Sequence, residues 1–263
     1  MTPPVDYLMD DPREARRLAG KVDAKAWVAR YFTPHLRASR RVLDVGCGPG
    51  ALAAAAGLAH HGIEVTGIDL SADRFAASDG NLPPNVRIQA GDARALPFED
   101  GSFDFVYCRF LLEYLSARQR AVEEMVRVCR PGGRVLLQDL DGQFLWHYPE
   151  DEDLCGTLEK LFAGIKGNGF DPFVGRKLFH IAKVAGLADL LVAAESYHLY
   201  AGRIDDRNLQ FWETKLDIAM PIAAKLLGSG EAAQSLKSRF LEYLLRDDSL
   251  TYSVIFTVIG NKR

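Results

Sequence analysis

Val42-Leu43-Asp44-Val45-Gly46-Cys47-Gly48-Pro49-Gly50 is the stretch on which the reading of this chain turns. A short apolar run enters a turn with glycine at alternate positions, and the alanine-rich stretch Ala51–His61 follows. The run reads as a buried strand and the alanines as a helix. Gly46, Gly48 and Gly50 admit positive φ and carry no side-chain bulk, so a flat or elongated ligand can lie on the main chain. The helix that follows aims its first N–H groups at the same place. The spacing Gly46-x-Gly48-x-x-Ala51 also satisfies the loose dinucleotide fingerprint. The stretch alone therefore implies a nucleotide-type site and leaves the cofactor open.

Outward from it the rhythm is regular. Arg41–Val45, Glu64–Asp69, Val86–Ala90, Phe103–Cys108 and Arg134–Gln138 read as strands covered on both faces. Helical stretches at Ala51–His61, Ala72–Ser78 and Ala117–Cys129 separate them. This alternation predicts an α/β fold with a doubly wound parallel sheet, whose ligands bind past the carboxyl ends of the strands. Pro131-Gly132-Gly133 reads as the turn into the fifth strand. Ahead of the first strand, Arg13–Leu18 and Ala24–Phe32 read as helices, with Tyr7, Arg17 or Lys21 as candidates to reach a ligand.

The residues just past each strand carry the chemistry. Asp69 ends the second strand, where a carboxylate can accept both hydroxyls of a ribose. The alternative, a helix N-cap, is a role that Ser71 can fill. After the third strand, Asp92 can accept from an exocyclic amine while the Ala93 N–H donates to a ring nitrogen. An Asx turn is the competing reading of Asp92. The fourth strand leads to Cys108-Arg109-Phe110 and the fifth to Asp139-Leu140-Asp141.

The totals narrow the partners. A chain of 263 residues with 48% hydrophobic and 25% charged residues is an ordinary globular domain, and a net charge of −3 gives no reason to expect nucleic acid or an anionic membrane. The four cysteines, Cys47, Cys108, Cys129 and Cys155, show no CxxC pairing and read as reduced thiols rather than metal ligands. The start of the chain lacks a basic segment followed by an apolar run, and no apolar stretch reaches membrane-spanning length, so a cytoplasmic protein is expected.

Taken together, Val42–Gly50, Val65–Ser71, Gly91-Asp92-Ala93 with Leu96-Pro97-Phe98, Ser102–Val106 and Arg127–Gly133 resemble the motifs of class I S-adenosylmethionine-dependent methyltransferases. They are most similar to the ubiquinone/menaquinone-biosynthesis type and related small-molecule enzymes. The resemblance covers about residues 40–140 and outweighs the dinucleotide alternative. It implies a seven-stranded, mostly parallel Rossmann-like sheet with the last strand antiparallel. It also implies S-adenosylmethionine as cofactor and S-adenosylhomocysteine as product. By position, the main chain at Gly46, Cys47 and Gly48 would pass the methionine part, with Asp44 anchoring nearby groups. Asp69 would hold the ribose, Leu70 would pack on the adenine, and Asp92 and Ala93 would read its edge. The main chain at Cys108 and Arg109 would lie beside the amino group and the sulfonium. A fixed cation there is unfavourable unless it turns away or meets an anion such as Glu113 or an acidic substrate group. Arg109 stands where magnesium-dependent relatives carry an acid, so Asp139 and Asp141 are not expected to hold a metal. The Asn-Pro-Pro-Tyr type signature is also absent, which disfavours nucleobase and glutamine amides.

Beyond residue 140 the chain departs from a minimal core. We divide a single domain, 1–263, into N-terminal helices (1–40), a cofactor-binding core (41–140), a helical segment (141–187) and an insertion (203–248). The aromatic cluster Phe144–Tyr148 is a candidate wall for an acceptor pocket, and His147 within it is the candidate general base, ahead of Asp139, His198 and Tyr7. Leu190–His198 and Thr251–Ile259 read as the last two strands. Between them Asn208–Leu227, with Pro221 expected to kink it, and Ala232–Leu245 read as amphipathic helices. An insertion there predicts a helical lid over a small, apolar or aromatic acceptor, with a homodimer contact as the alternative use. The expected function is methyl transfer to a small molecule. Transfer to a protein or RNA residue, and a non-catalytic S-adenosylmethionine-binding regulator, are the rival readings.

Overall fold

A computed structural model describes residue 13 and residues 22–36, 40–70, 82–166 and 169–263, without the side chains of residues 143–145. The helix expected at Ala72–Ser78, that at Arg13–Leu18 beyond its first residue, Tyr7, Arg17, Lys21, Ser71 and the side chains of Phe144 and Leu145 lie outside the described residues.

A short helix α1 (Ala24–Trp27), capped by the Asp23 carboxylate on the Ala26 N–H, widens into a π-turn at Val28–Phe32 and then tightens into a 3-10 turn at Thr33–His35. Then come β1 (Arg41–Val45), α2 (Ala51–Ala59), β2 (Glu64–Asp69), β3 (Val86–Ala90), β4 (Phe103–Arg109), α3 (Arg118–Val128) and β5 (Cys129–Tyr148). They are followed by α4 (Glu152–Lys166), α5 (Leu178–Val184), β6 (Ala188–Ala201), α6 (Asp206–Leu227), α7 (Gly230–Leu244) and β7 (Leu250–Asn261). The seven described strands form one sheet in the order β3-β2-β1-β4-β5-β7-β6. Pairs among β1 to β5 are parallel, and β7 lies antiparallel between β5 and β6. The order reverses between β1 and β4, which opens a crevice at their carboxyl ends.

Alternation along the strands feeds a core on each face. Leu43, Val45, Val106, Cys108, Val135 and Leu137 pack against α3 and α5. Val42, Val65, Phe105, Tyr107 and Leu136 pack against α2 and against Trp27, Val28 and Phe32. A third core lies apart from both, where α4, α6 and α7 bury Leu154, Leu158, Phe162, Trp212, Leu236 and Phe240 against one another. No helix among the described residues is long and apolar enough to cross a membrane.

Two expectations need correction. The turn expected at Pro131-Gly132-Gly133 is drawn into the start of β5, because the Gly132 N–H donates to the Lys262 carbonyl (2.8 Å) and the Lys262 N–H to that of Gly133 (2.9 Å). The aromatic stretch expected beyond the fifth strand is its continuation, since Trp146, His147 and Tyr148 pair with Tyr252, Thr251 and Leu250 of β7. Helix α6 continues through Pro221 to Leu227.

Candidate active site

A single cavity joins the carboxyl ends of β1, β2 and β4 to β6 and α6. Gly46, Cys47 and Gly48 line it, and Gly46, Gly48 and Gly50 all hold positive φ, at 73°, 51° and 81°. A Cβ on Gly46 would sit 2.8 Å from Leu111 Cδ1, whereas one on Gly48 would meet nothing within 4 Å. The loop spends its own donors. Gly46 and Cys47 N–H groups bond the Ile68 carbonyl (2.8 and 3.1 Å), the Gly50 N–H bonds the Cys47 carbonyl (2.9 Å), and the Gly48 N–H donates to Asp69 Oδ2 (2.9 Å). Pro49 has none to offer.

Two carboxylates flank this loop. Asp69 closes β2 and latches Gly48. Asp44, on β1, is buried and accepts from the Tyr107 hydroxyl (2.9 Å), its register partner on β4. Burial pushes the Asp44 carboxyl up to about 7; the Tyr107 hydrogen bond opposes this, Asp69 adds to it, and Arg109 opposes it. A pyrophosphate laid on the loop would find its N–H groups taken and two carboxylates beside it. A cationic ligand would find the field it needs. The residues present thus fit a sulfonium donor and disfavour the dinucleotide reading.

Other expected residues divide. Leu70 and Ala93 line the cavity, and Leu70 is 59% exposed, an apolar side chain with room for a flat partner. Asp92 also lines it, but its carboxylate is gripped by Arg94 through Nε and Nη2 at 2.7–3.0 Å and accepts the Arg94 N–H at 2.8 Å. The Arg94 hydrogen bonds hold it below the usual carboxylate range despite burial. Cys108 is fully buried among the core residues and is not among those lining the cavity, since its side chain faces α3. The pairing of Arg109 with Glu113 does not form. Residues 112–114 make a single tight turn rather than a helix, and Arg109 turns instead to Gln138, Tyr197 and the ring of Phe110.

The opposite wall comes from Phe110, Tyr114, Leu140, Tyr197, His198 and Lys215. Phe110 and His198 hold φ of 54° and 50°, and both face this one cavity. Strain of that kind persists only where packing enforces it. At His198 a bulge does so: Tyr197 pairs with Ser253 and Tyr200 with Thr251, leaving one extra residue on β6. Glu113 is buried at the cavity's edge. Its N–H donates to Asp139 Oδ2 (3.2 Å), and its carbonyl accepts the Asp171 N–H (2.7 Å). Asp139, expected as a candidate base, accepts the N–H groups of Leu112, Glu113 and Leu140 and so holds this turn; burial and the Glu113 carboxyl push it well up. Asp141 is clasped by the Arg176 guanidinium. His147, the expected base, lies elsewhere. It is not among the cavity-lining residues, because its place on β5 opposite Thr251 turns it into the third core, 4.9 Å from the Tyr243 ring.

Residues 43–137 match the family model described as a methyltransferase domain. A malonyl-[acyl-carrier protein] O-methyltransferase of Erwinia billingiae is 31% identical over 191 residues, 67% of this chain and 72% of that protein. The chain belongs to the class I S-adenosylmethionine-dependent methyltransferases. A methyltransferase of Bacillus subtilis, YcgJ, is 40% identical over 136 residues, 49% of each chain. The crystal structure of YcgJ shares the fold, with a TM-score of 0.59, 23% identity and coverage of 91% and 98%. The chain spans about half the length of several curated relatives, 49%, 58% and 42%. S-adenosylmethionine is the cofactor of this family, and the glycine loop with its two carboxylates lies inside the matched residues. The part of the other wall that β6 and α6 supply lies outside them.

The sequence reading missed Lys215, Tyr197 and Gln138. Two left a trace. Lys215 stands on the apolar stripe of α6 between Trp212 and Leu216, and Gln138 closes the run Val135-Leu136-Leu137. A polar residue inside an apolar pattern is the signal in both cases.

Proposed function

We propose that this chain transfers a methyl group from S-adenosylmethionine to a small molecule, with the donor at the glycine loop and the acceptor beneath α6. The observation that carries this reading is the single cavity running from Gly46–Gly48 to His198 and Lys215. Gly46, Cys47 and Gly48 would bear the donor's methionine part, Asp44 and Asp69 would supply negative charge, and Leu70 and Ala93 would face its base. The donor supplies an activated methyl group and leaves as a neutral thioether. The protein's share is alignment and exclusion of water. The inserted helices α6 and α7 act as a lid, supported by the third core that ties them to α4. Tyr114, Tyr197 and Phe110 offer aromatic walls to the acceptor, and Lys215 and His198 its polar end. His198, rather than His147, is the candidate to take a proton from an acceptor that must lose one.

The test is calorimetric titration with S-adenosylhomocysteine and with NAD in parallel, followed by an acceptor screen using labelled methyl donor. Binding of S-adenosylhomocysteine alone, then label in a small molecule, is the expected result. Binding of NAD alone would overturn the reading. The Erwinia relative is by name a malonyl-[acyl-carrier protein] O-methyltransferase, so the screen should include carboxylates.

A further inference from the structure

We propose that Gln138 is a positioning residue, holding the Arg109 guanidinium away from the donor end of the cavity so that Asp44 and Asp69 keep their charge for the sulfonium. The inference rests on the donor reading above.

Gln138 is fully buried on β5, directly beside Arg109 in the β4–β5 register and opposite Thr257 on β7. Its Oε1 accepts from Trp27 Nε1 at 2.7 Å and from Arg109 Nε at 3.0 Å, while its Nε2 donates to Thr257 Oγ1 at 2.7 Å. Both partners of Oε1 are donors only, so the amide has one orientation. The acceptor is neutral. It fixes the guanidinium without adding a charge that would need its own compensation.

The rest of Arg109's surroundings act in the same direction. Its guanidinium carbon lies 3.9 Å from the centre of the Phe110 ring, which left-handed backbone at Phe110 brings beneath it, and Nη2 reaches towards the Tyr197 hydroxyl at 3.5 Å. Among the described residues Arg109 makes no ion pair. It nevertheless acts on Asp44, favouring the charged form across the space between them. Freed from Gln138, the guanidinium could turn to Asp44, the loop carboxylate on which it already acts. An Arg109–Asp44 pair would cancel half the negative lining on which a cationic donor depends.

S-adenosylmethionine and S-adenosylhomocysteine differ by one methyl group and the charge on sulfur, so the ratio of their dissociation constants isolates the electrostatic effect from general damage. In Gln138→Leu we expect S-adenosylmethionine to bind about tenfold weaker and S-adenosylhomocysteine less than about threefold weaker. The double variant Arg109→Leu/Gln138→Leu should return the ratio to within about twofold of wild type. Gln138→Glu, which still offers oxygen to both donors and adds a negative charge, should hold Arg109 in place and leave S-adenosylmethionine bound no weaker, relative to S-adenosylhomocysteine, than in wild type. Equal losses for both ligands, or a shifted ratio that persists without Arg109, would overturn the proposal. Should Gln138→Leu fail to fold, Arg109→Leu alone decides. A held-off charge predicts a ratio within about twofold of wild type, and a tenfold gain for S-adenosylmethionine only would overturn the proposal. Wild-type protein that binds neither ligand overturns the donor reading as well. Wild-type protein that binds both, with a ratio indifferent to Gln138, overturns only the positioning role.

Discussion

The two walls of the cavity are built at different ranges along the chain. On the glycine side the decisive contact, Gly48 N–H to Asp69, spans 21 residues, inside one strand–helix–strand unit. On the other side the contacts are long. Arg109 meets Tyr197 across 88 residues, His198 meets Ser253 across 55, and Gln138, which holds Arg109, meets Thr257 across 119. A wall built from local geometry can be carried by many chains that differ elsewhere. A wall built from distant strands and from α6 is free to vary. Substitutions on the first wall should therefore change donor affinity, and substitutions on the second should change transfer with donor affinity intact.

The largest effect should come from Asp69→Ala. It removes the charged acceptor at the end of β2 and leaves the Gly48 N–H without its partner, so S-adenosylhomocysteine should bind about 100-fold weaker by calorimetry. Asp69→Asn, which keeps an oxygen for Gly48, should recover about tenfold of that. Full affinity in a folded Asp69→Ala protein would remove this residue from the donor wall.

Next, Lys215→Met tests the opposite wall. Lys215 is buried on α6 with Nζ 5.3 Å from the Trp212 ring centre, and methionine follows nearly the same path through the helix's apolar face. Transfer should fall about 30-fold while S-adenosylhomocysteine affinity stays within about twofold, because a charge lost from the acceptor side is not felt by a neutral product. A parallel fall in both would merge the two walls into one.

The same difference in range explains what was legible beforehand. The first three strands fall on the residues expected and the fourth runs one residue further, to Arg109, because each run and its bounding turn are adjacent in sequence. The fifth was expected too short at both ends. Gly132 and Gly133 carry a turn signal, and only Lys262, at the far end of the chain, converts it to strand. Asp69 and the glycines could be placed by spacing. Tyr197 and Gln138 could not, since nothing near them in sequence says that Arg109 will arrive. Asp92 shows the limit of local reading from the other direction, because Arg94 stands two residues away and takes the carboxylate.

A third, smaller effect follows from Asp44. Its carboxyl sits at about 7 in the fold against an ordinary 3.8, so the folded protein keeps this proton through a range where the unfolded chain has lost it. Below about pH 4 both states are protonated and nothing is lost. As pH rises to about 7 the folded state gives up stability, at most about 4 kcal/mol, and above that the loss is constant. Asp44→Asn should therefore gain in melting temperature over wild type between pH 4 and 7 and level off beyond. S-adenosylmethionine, which favours the charged carboxylate, should bind up to about tenfold weaker at pH 6 than at pH 8, with S-adenosylhomocysteine moving less. An affinity ratio flat across that range would separate Asp44 from the donor's charge.

The smallest effect is the sharpest test, because the molecule supplies its own control. His147 and His198 are buried to nearly the same degree, 8% and 9% exposed. Each bonds through Nδ1 to a hydroxyl on the same face of β7, Thr251 at 3.0 Å and Ser253 at 3.2 Å, and each packs against a ring of α6 or α7. They differ in one respect: the bulge in β6 turns His198 to the cavity, and the unbroken pairing of His147 with Thr251 keeps it in the third core. Alanine at either position should cost a similar 1–3 kcal/mol, about what a lost buried hydrogen bond and ring contact are worth. Only His198→Ala should then lower transfer in the folded fraction, by about tenfold, with His147→Ala within about twofold of wild type. Equal losses of transfer would mean that the helices over β7 work as one rigid body and that the cavity's outline does not mark where the chemistry is done.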